Sequence, residues 1–214
     1  MILTKHFVFL HYPKTGGSFV RKIFKNSAPR SWELTSPGKH LDFVHCPESH
    51  KSLPVIGFVR NPFDWYVSWY IFSKNIYPHD FFNNVSDDGK LDFKKTILNV
   101  LEVDYNKYFN LDFGKIYGRP VGCYTAYVHS MFGEDLSDIR FGKFENLRED
   151  FLSLISEIVE PPLFMRLLTK HYPRVNTGKR THYSDYYDEE LIEAVSKKED
   201  EMLKRFDYKF EFVK

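Results

Sequence analysis

Lys14, Thr15, Gly16, Gly17 and Ser18 stand together in a pattern suited to holding an anion. The lysine carries a full positive charge, and the threonine and serine carry hydroxyl donors. Two adjacent glycines let the backbone approach a ligand closely, because no Cβ stands in the way. A helix that begins here adds unpaired N–H groups and a favourable dipole. The stretch therefore predicts a loop that binds phosphate or sulfate.

The flanking residues predict the strand and the helix that such a loop needs. Residues 7–10 are a short apolar run, and apolar residues recur at helical spacing over residues 19–24. The triphosphate-binding pattern G-x-x-x-x-G-K-[ST] places its lysine after the glycines, whereas Lys14 precedes Gly16. The chain therefore lacks that pattern. An ordinary turn between a strand and a helix is the alternative interpretation.

A second stretch has the same strand-to-helix organisation. Val55–Val59 is a continuous apolar run, as expected of a buried parallel strand. Pro62 then suits the first turn of a helix that we expect to reach about Ser73. Arg60 is thereby predicted at the carboxyl end of a strand, where open α/β sheets bind ligands, and Ser68 lies two turns along the helix.

Together these stretches resemble the sulfotransferases that use 3′-phosphoadenosine 5′-phosphosulfate (PAPS). Pro-Lys-Thr-Gly-Gly-Ser at residues 13–18 is similar to their 5′-phosphosulfate loop, and Arg-Asn-Pro followed by Ser-x-Tyr at residues 60–70 is similar to their 3′-phosphate site. In style the chain resembles the carbohydrate, membrane-type enzymes most, although we expect it to lack their membrane anchor. The resemblance implies an α/β fold over residues 1–214. We expect a single domain with a mostly parallel central sheet flanked by helices, related to the P-loop-containing nucleotide hydrolases.

The resemblance also implies roles for particular residues. Lys14 would stabilise the negative charge that develops on the leaving phosphate, as fixed donors do in such sites. Lys179 and Arg180 resemble the basic pair of the family's C-terminal loop, although a solvated basic turn is an equal alternative. The complete set implied for the nucleotide is Lys14, Thr15, Gly16, Gly17, Ser18, Phe19, Arg60, Ser68, Lys179 and Arg180.

A hydroxyl acceptor needs a general base, and histidine suits that role near neutral pH. We predict a short strand at residues 41–45, which places His45 at its carboxyl end near the cleft. His40 is the second candidate. Glu48 and Glu145 are carboxylate alternatives. Residue type alone decides nothing, since the chain has nine histidines.

Composition limits the function further. The chain has 214 residues and a formal net charge of +1, which argues against general nucleic-acid binding. No apolar run approaches the roughly 18 residues of a membrane span, so we expect a soluble, cytoplasmic protein. No cluster has metal-ligand spacing, so we expect PAPS without a metal, and adenosine 3′,5′-bisphosphate (PAP) as the product.

The sequence leaves several questions open. A small-molecule kinase with a variant phosphate loop and a non-catalytic nucleotide-binding module are the alternative functions. The acceptor is a small molecule, a carbohydrate or a peptide, and residues 74–118 are expected to shape its pocket. The sequence does not determine the oligomeric state.

Overall fold

The structure is a computed structural model, and it describes residues 1–109, 111–173 and 180–212. The strands of its sheet are β1 Ile2–Leu3, β2 Val8–Phe9, β3 Val55–Val59 and β4 Ile139–Lys143. The helices are α1 Gly17–Ser27, α2 Pro62–Asn75, α3 Asp80–Ser86, α4 Phe93–Leu101, α5 Tyr105–Phe109, α6 Phe113–Tyr117, α7 Cys123–Phe132, α8 Leu147–Ser156, α9 Leu163–His171, α10 Glu189–Lys198 and α11 Asp200–Arg205.

The four strands form one sheet in the order β1-β2-β3-β4. β2, β3 and β4 are parallel, with Val8 opposite Val55 and Gly57 opposite Phe141. β1 adds to the edge in the antiparallel sense, with Ile2 opposite Phe9. Every residue of β3 is buried, which explains why its sequence is continuously apolar. The prediction of an α/β fold with a mostly parallel central sheet flanked by helices is confirmed.

The chain forms two compact units. The described residues of the first lie within 1–60 and 131–173, and those of the second within 61–130 and 180–212. The single-domain prediction over 1–214 stays a prediction.

The first unit holds the whole sheet. Ile56 and Phe58 of β3 belong to an apolar core that includes Phe24 of α1, Phe151 of α8 and Met165 of α9. Gly57, on the other face, lies under the ring of Phe132, where a Cβ would come within 2.4 Å of a ring carbon. Helices thus fix one face of the sheet, and a tightly packed aromatic ring covers the middle of the other.

The second unit is built around a buried carboxylate. Glu199 has no exposed surface, and it accepts hydrogen bonds from the Tyr124 amide (3.1 Å), the Thr125 amide (2.9 Å) and the Thr125 hydroxyl (2.6 Å). The Tyr66 hydroxyl donates to the same group. Burial raises the pKa of Glu199 and of Tyr66, and the hydrogen bonds to the Glu199 carboxylate oppose part of the first shift.

Two local predictions were wrong, each for an identifiable reason. Residues 41–45 form no strand; Phe43–His45 is a 3₁₀ turn, because the Asp42 carboxylate accepts the His45 amide at 3.2 Å. The sequence also predicts one last helix over residues 188–206, which begins with acidic residues and ends with Lys204 and Arg205. The structure divides this segment into α10 and α11 at Glu199. The helix is interrupted there because the Glu199 side chain turns inward to accept hydrogen bonds from the buried amides of α7.

We predict that Glu199→Ala destabilises the protein by roughly 3 kcal/mol, because it leaves several buried donors without an acceptor. Glu199→Gln keeps one carbonyl oxygen and should lose less. The exposed residue Glu193 on α10 supplies the control, since Glu193→Ala should change the free energy of unfolding by less than about 0.5 kcal/mol. Urea unfolding of the three variants measures this, and equal losses for Glu199→Ala and Glu193→Ala would contradict the role given to the carboxylate.

Candidate functional site

The loop between β2 and α1 has an unusual backbone. Lys14 and Gly16 both have positive φ values, 67° and 84°, and Gly16 occupies the N-cap position of α1. The left-handed conformation suits glycine but is strained for lysine, a form of strain common at functional sites. The buried Thr15 hydroxyl donates to the Tyr12 carbonyl at 2.8 Å. Thr15 therefore closes the loop from inside.

This backbone leaves amides available at the start of α1. The amides of Phe19 and Val20 both return to the Gly16 carbonyl, at 2.9 and 3.4 Å. The amides of Gly16, Gly17 and Ser18 make no hydrogen bond to any other residue in the described parts of the chain. Three N–H groups without a partner among the described residues, at the positive end of an 11-residue helix, suit a phosphate or sulfate oxygen.

Arg60 holds the loop from the end of β3. Its side chain is buried, and Nη1 donates to the Lys14 carbonyl at 2.9 Å. The guanidinium lies over the Phe144 ring, 4.2 Å from the ring centroid. Phe144 in turn lies against Gly16, where a Cβ would come within 3.1 Å of the ring. The loop, the residue after β3 and the residue after β4 thus meet at one place, as the strand-end predictions require.

His11 lies directly beneath the loop and was not among the predicted site residues. A Cβ on Gly17 would come within 2.0 Å of the His11 ring, so position 17 admits no side chain larger than hydrogen without a rearrangement. The ring is buried, and its Nδ1 has no partner in the described parts of the chain. Burial, with smaller contributions from His40 and Lys39, lowers the pKa of His11 to about 2, so this ring is neutral.

His40 contacts His11 and thereby reaches the loop. The two ring centroids are 4.5 Å apart, and Nδ1 of His40 lies 3.0 Å from the His11 carbonyl oxygen. A carbonyl only accepts, so Nδ1 carries the hydrogen and Nε2 of neutral His40 carries the lone pair. Desolvation lowers the pKa of His40, and the hydrogen bond to His11 opposes part of that shift. His40 is therefore in the form that a general base requires.

The other candidate bases have different surroundings. The His45 side chain is 64% exposed, and its Nδ1 lies 2.6 Å from the Asp42 carboxylate. Glu48 is exposed and forms an ion pair with Lys51. Glu145 is exposed in the 3₁₀ turn after β4. His45 and Glu48 thus pair with Asp42 and Lys51, whereas His40 contacts His11 beside the loop.

The remaining predicted residues lie in the second unit or outside the described residues. Ser68 is half-buried on α2. Arg180 donates to Asp64 in the first turn of α2. Lys179 lies outside the described residues. The roles predicted for these three stay predictions.

Two general features complete the site's description. Within residues 1–109, 111–173 and 180–212, no three His, Cys, Asp or Glu side chains are grouped so that they could hold a metal ion. None of the helices in these same ranges combines the length and apolar character needed to cross a bilayer.

Comparison with known proteins bears on the fold. No family model and no curated protein sequence matches the chain. Among solved structures, the crystal structure of mouse sulfotransferase SULT7A1 complexed with PAP is similar, with a TM-score of 0.51 and 15% sequence identity. The match covers 95% of this chain and 85% of that one. The chain therefore has a sulfotransferase-like fold.

Proposed function

We propose that the protein is a sulfotransferase that moves the sulfuryl group of PAPS to a hydroxyl or amine acceptor. The observation that carries the proposal is the set of three amides at Gly16, Gly17 and Ser18, which have no partner in the described parts of the chain and lie beside Lys14 and against the His11 ring. This cradle suits an anionic oxygen, and the absent Cβ of Gly17 makes room for the His11 ring against which the loop packs. Similarity to a sulfotransferase complexed with PAP supports the choice of nucleotide.

The amides and side chains of the loop have separate roles in this proposal. The amides of residues 16–18 would hold the 5′-phosphosulfate, and Lys14 would stabilise charge that grows on the bridging oxygen as the sulfur–oxygen bond breaks. Because that charge is largest in the transition state, Lys14 should contribute more to kcat than to nucleotide affinity. Arg60, with its planar fork of donors, would hold the 3′-phosphate while also holding the loop through the Lys14 carbonyl.

His40 is the base that the geometry favours. Its Nε2 would take the proton of an acceptor hydroxyl as the acceptor oxygen forms its bond to sulfur, and PAP would leave with the bridging oxygen. The bond from Nδ1 to the His11 carbonyl fixes the tautomer for this step, much as a carboxylate does in other histidine-containing sites. The sequence placed His45 first. Both histidines are exposed, so their contacts decide between them: His45 pairs with Asp42, whereas His40 pairs with the His11 carbonyl beside the loop.

The location of the reaction is part of the proposal. We infer a cytoplasmic enzyme of the PAPS-dependent kind, with Cys46 and Cys123 as free thiols, which are usual in reducing compartments. Imaging of the tagged protein tests this location.

The choice of nucleotide predicts a selective thermal shift. PAP at about 100 times its dissociation constant should stabilise the fold by roughly 2.7 kcal/mol without added metal, because only the folded state presents the loop. ATP with Mg²⁺ should stabilise it far less. Differential scanning fluorimetry compares the two ligands. An equal shift with ATP and Mg²⁺ would favour a kinase with a variant loop, and no shift with PAP would contradict the proposal.

The choice of base predicts different effects for two histidine substitutions. His40→Ala should keep its affinity for PAP and lose about 10² to 10⁴-fold in kcat, because only proton transfer is affected. His45→Ala is the matched control and should stay near wild-type turnover. Labelled PAPS with a panel of acceptors supplies the assay. The reverse result, with loss only in His45→Ala, would restore the original ranking.

The same base predicts the acid limb of the pH profile. Since the pKa of His40 is lowered, its Nε2 keeps the lone pair below the ordinary histidine value of about 6.5. Turnover should therefore fall with acid only below that pH. An acid limb centred at or above pH 6.5 would contradict His40 as the base in this environment.

A further inference from the structure

A cavity of about 840 Å³ lies along the outside of α1 in the first unit. Phe24, Ala28 and Leu34 are among its apolar lining residues, and its volume falls within the range of small-molecule sites. A cavity with apolar walls fits a ligand that has an apolar body.

Charged side chains of mostly one sign surround this apolar lining. Five cations contribute to the cavity and only one carboxylate, Glu33; the cations are Arg21, Lys22, Lys25, Arg30 and Lys39. In the described parts of the chain, none of these five forms a salt bridge. Several cations of the second unit do, such as Lys94 with Asp188 at 2.7 Å and Lys204 with Asp200 at 2.9 Å. The chain as a whole has a net charge of only +1, so the cluster is a local feature that attracts anions.

The cavity adjoins the proposed reaction centre at two points. Ser18, whose amide belongs to the anion cradle, is one of its lining residues. Lys39, another lining residue, directly precedes His40 in the chain. A ligand in the cavity would therefore extend from the cations towards the loop and the base.

One of the cations is held in place before any ligand arrives. Nη2 of Arg21 donates to the Ser36 hydroxyl at 3.0 Å, and Nη1 lies 3.4 Å from the Met1 carbonyl. Neither partner carries a negative charge, so the guanidinium keeps its charge uncompensated while its orientation is restricted. A preorganised cation loses less side-chain entropy when it binds an anion.

We propose that this cavity binds the acceptor, and that the acceptor is an organic anion with an apolar body and a hydroxyl group. This inference rests on the proposed sulfotransferase function and names its substrate class. The anionic group pairs with the lysines and arginines along α1, the apolar body lies on the cavity wall, and the hydroxyl reaches the loop beside His40.

Two probes that differ in one group test the charge preference. 10-Hydroxydecanoate and 1,10-decanediol have the same chain and a terminal hydroxyl, but only the first carries a carboxylate. Isothermal titration into the full chain saturated with PAP measures their affinities. The proposal requires 10-hydroxydecanoate to bind at least tenfold tighter than the diol, with the difference shrinking as salt is added.

A double variant on α1 tests the location. Lys22→Gln with Lys25→Gln should weaken 10-hydroxydecanoate about tenfold, raise its KM in transfer of labelled sulfate and leave kcat and PAP affinity within about twofold. Lys90→Gln with Lys107→Gln, at two exposed cations of the second unit, removes the same charge elsewhere and should leave the affinity unchanged.

The outcomes separate this inference from the proposed function. Equal binding of the two probes, or unaltered 10-hydroxydecanoate affinity in the α1 variant, overturns the acceptor assignment. A tenfold loss of PAP affinity in that variant also overturns it, because the cavity would then belong to the nucleotide. Failure of the wild-type protein to bind PAP at all contradicts the sulfotransferase function itself, and the inference with it.

Discussion

The candidate site depends on one hydrogen bond, from the buried guanidinium of Arg60 to the carbonyl of Lys14. Lys14 adopts a backbone conformation that is costly for a residue with a side chain, and the bond to Arg60 is one contact that holds it there. The Lys14 carbonyl turns towards Arg60, which leaves the amides of residues 16–18 for a ligand. Phe144, stacked on the same guanidinium and packed against Gly16, joins the end of β4 to this arrangement. The loop at residues 13–18, Arg60 after β3 and Phe144 after β4 therefore support one another physically.

The space beneath the loop imposes a second constraint. Gly17 lies so close to the His11 ring that the two positions must be considered together, and the His11 carbonyl orients His40. His11 thus packs against the backbone of the proposed anion site and also fixes the tautomer of the proposed base. The same helix that supplies the cradle at its start carries the cations of the neighbouring cavity along its length. In the proposed reaction the sulfuryl group would move from an anionic nucleotide to an anionic acceptor, and α1 would offer N–H groups to the first and cations to the second.

Much of this arrangement could be predicted from the sequence, and the exceptions have physical reasons. Val55–Val59 was predicted with its observed bounds because a fully buried parallel strand must be continuously apolar. β1 was missed because two residues are too short to show a period, and the strand exists only through its pairing with β2. Glycines and a lysine at characteristic spacing revealed the loop. The importance of His11 depends on its burial, and the preference for His40 over His45 depends on a hydrogen bond to a carbonyl. Residue types encode neither.

The central claim is that the contact of Arg60 with the Lys14 carbonyl shapes the loop for a 5′-phosphate. It is tested most directly by titrating adenosine 5′-phosphate and PAP into the wild-type protein and into Arg60→Met, which keeps an apolar side chain against Phe144. If Arg60 both shapes the loop and holds the 3′-phosphate, adenosine 5′-phosphate should lose roughly tenfold in affinity, the equivalent of about one hydrogen bond to a charged group, and PAP should lose more. An unchanged affinity for adenosine 5′-phosphate in Arg60→Met would contradict the claim.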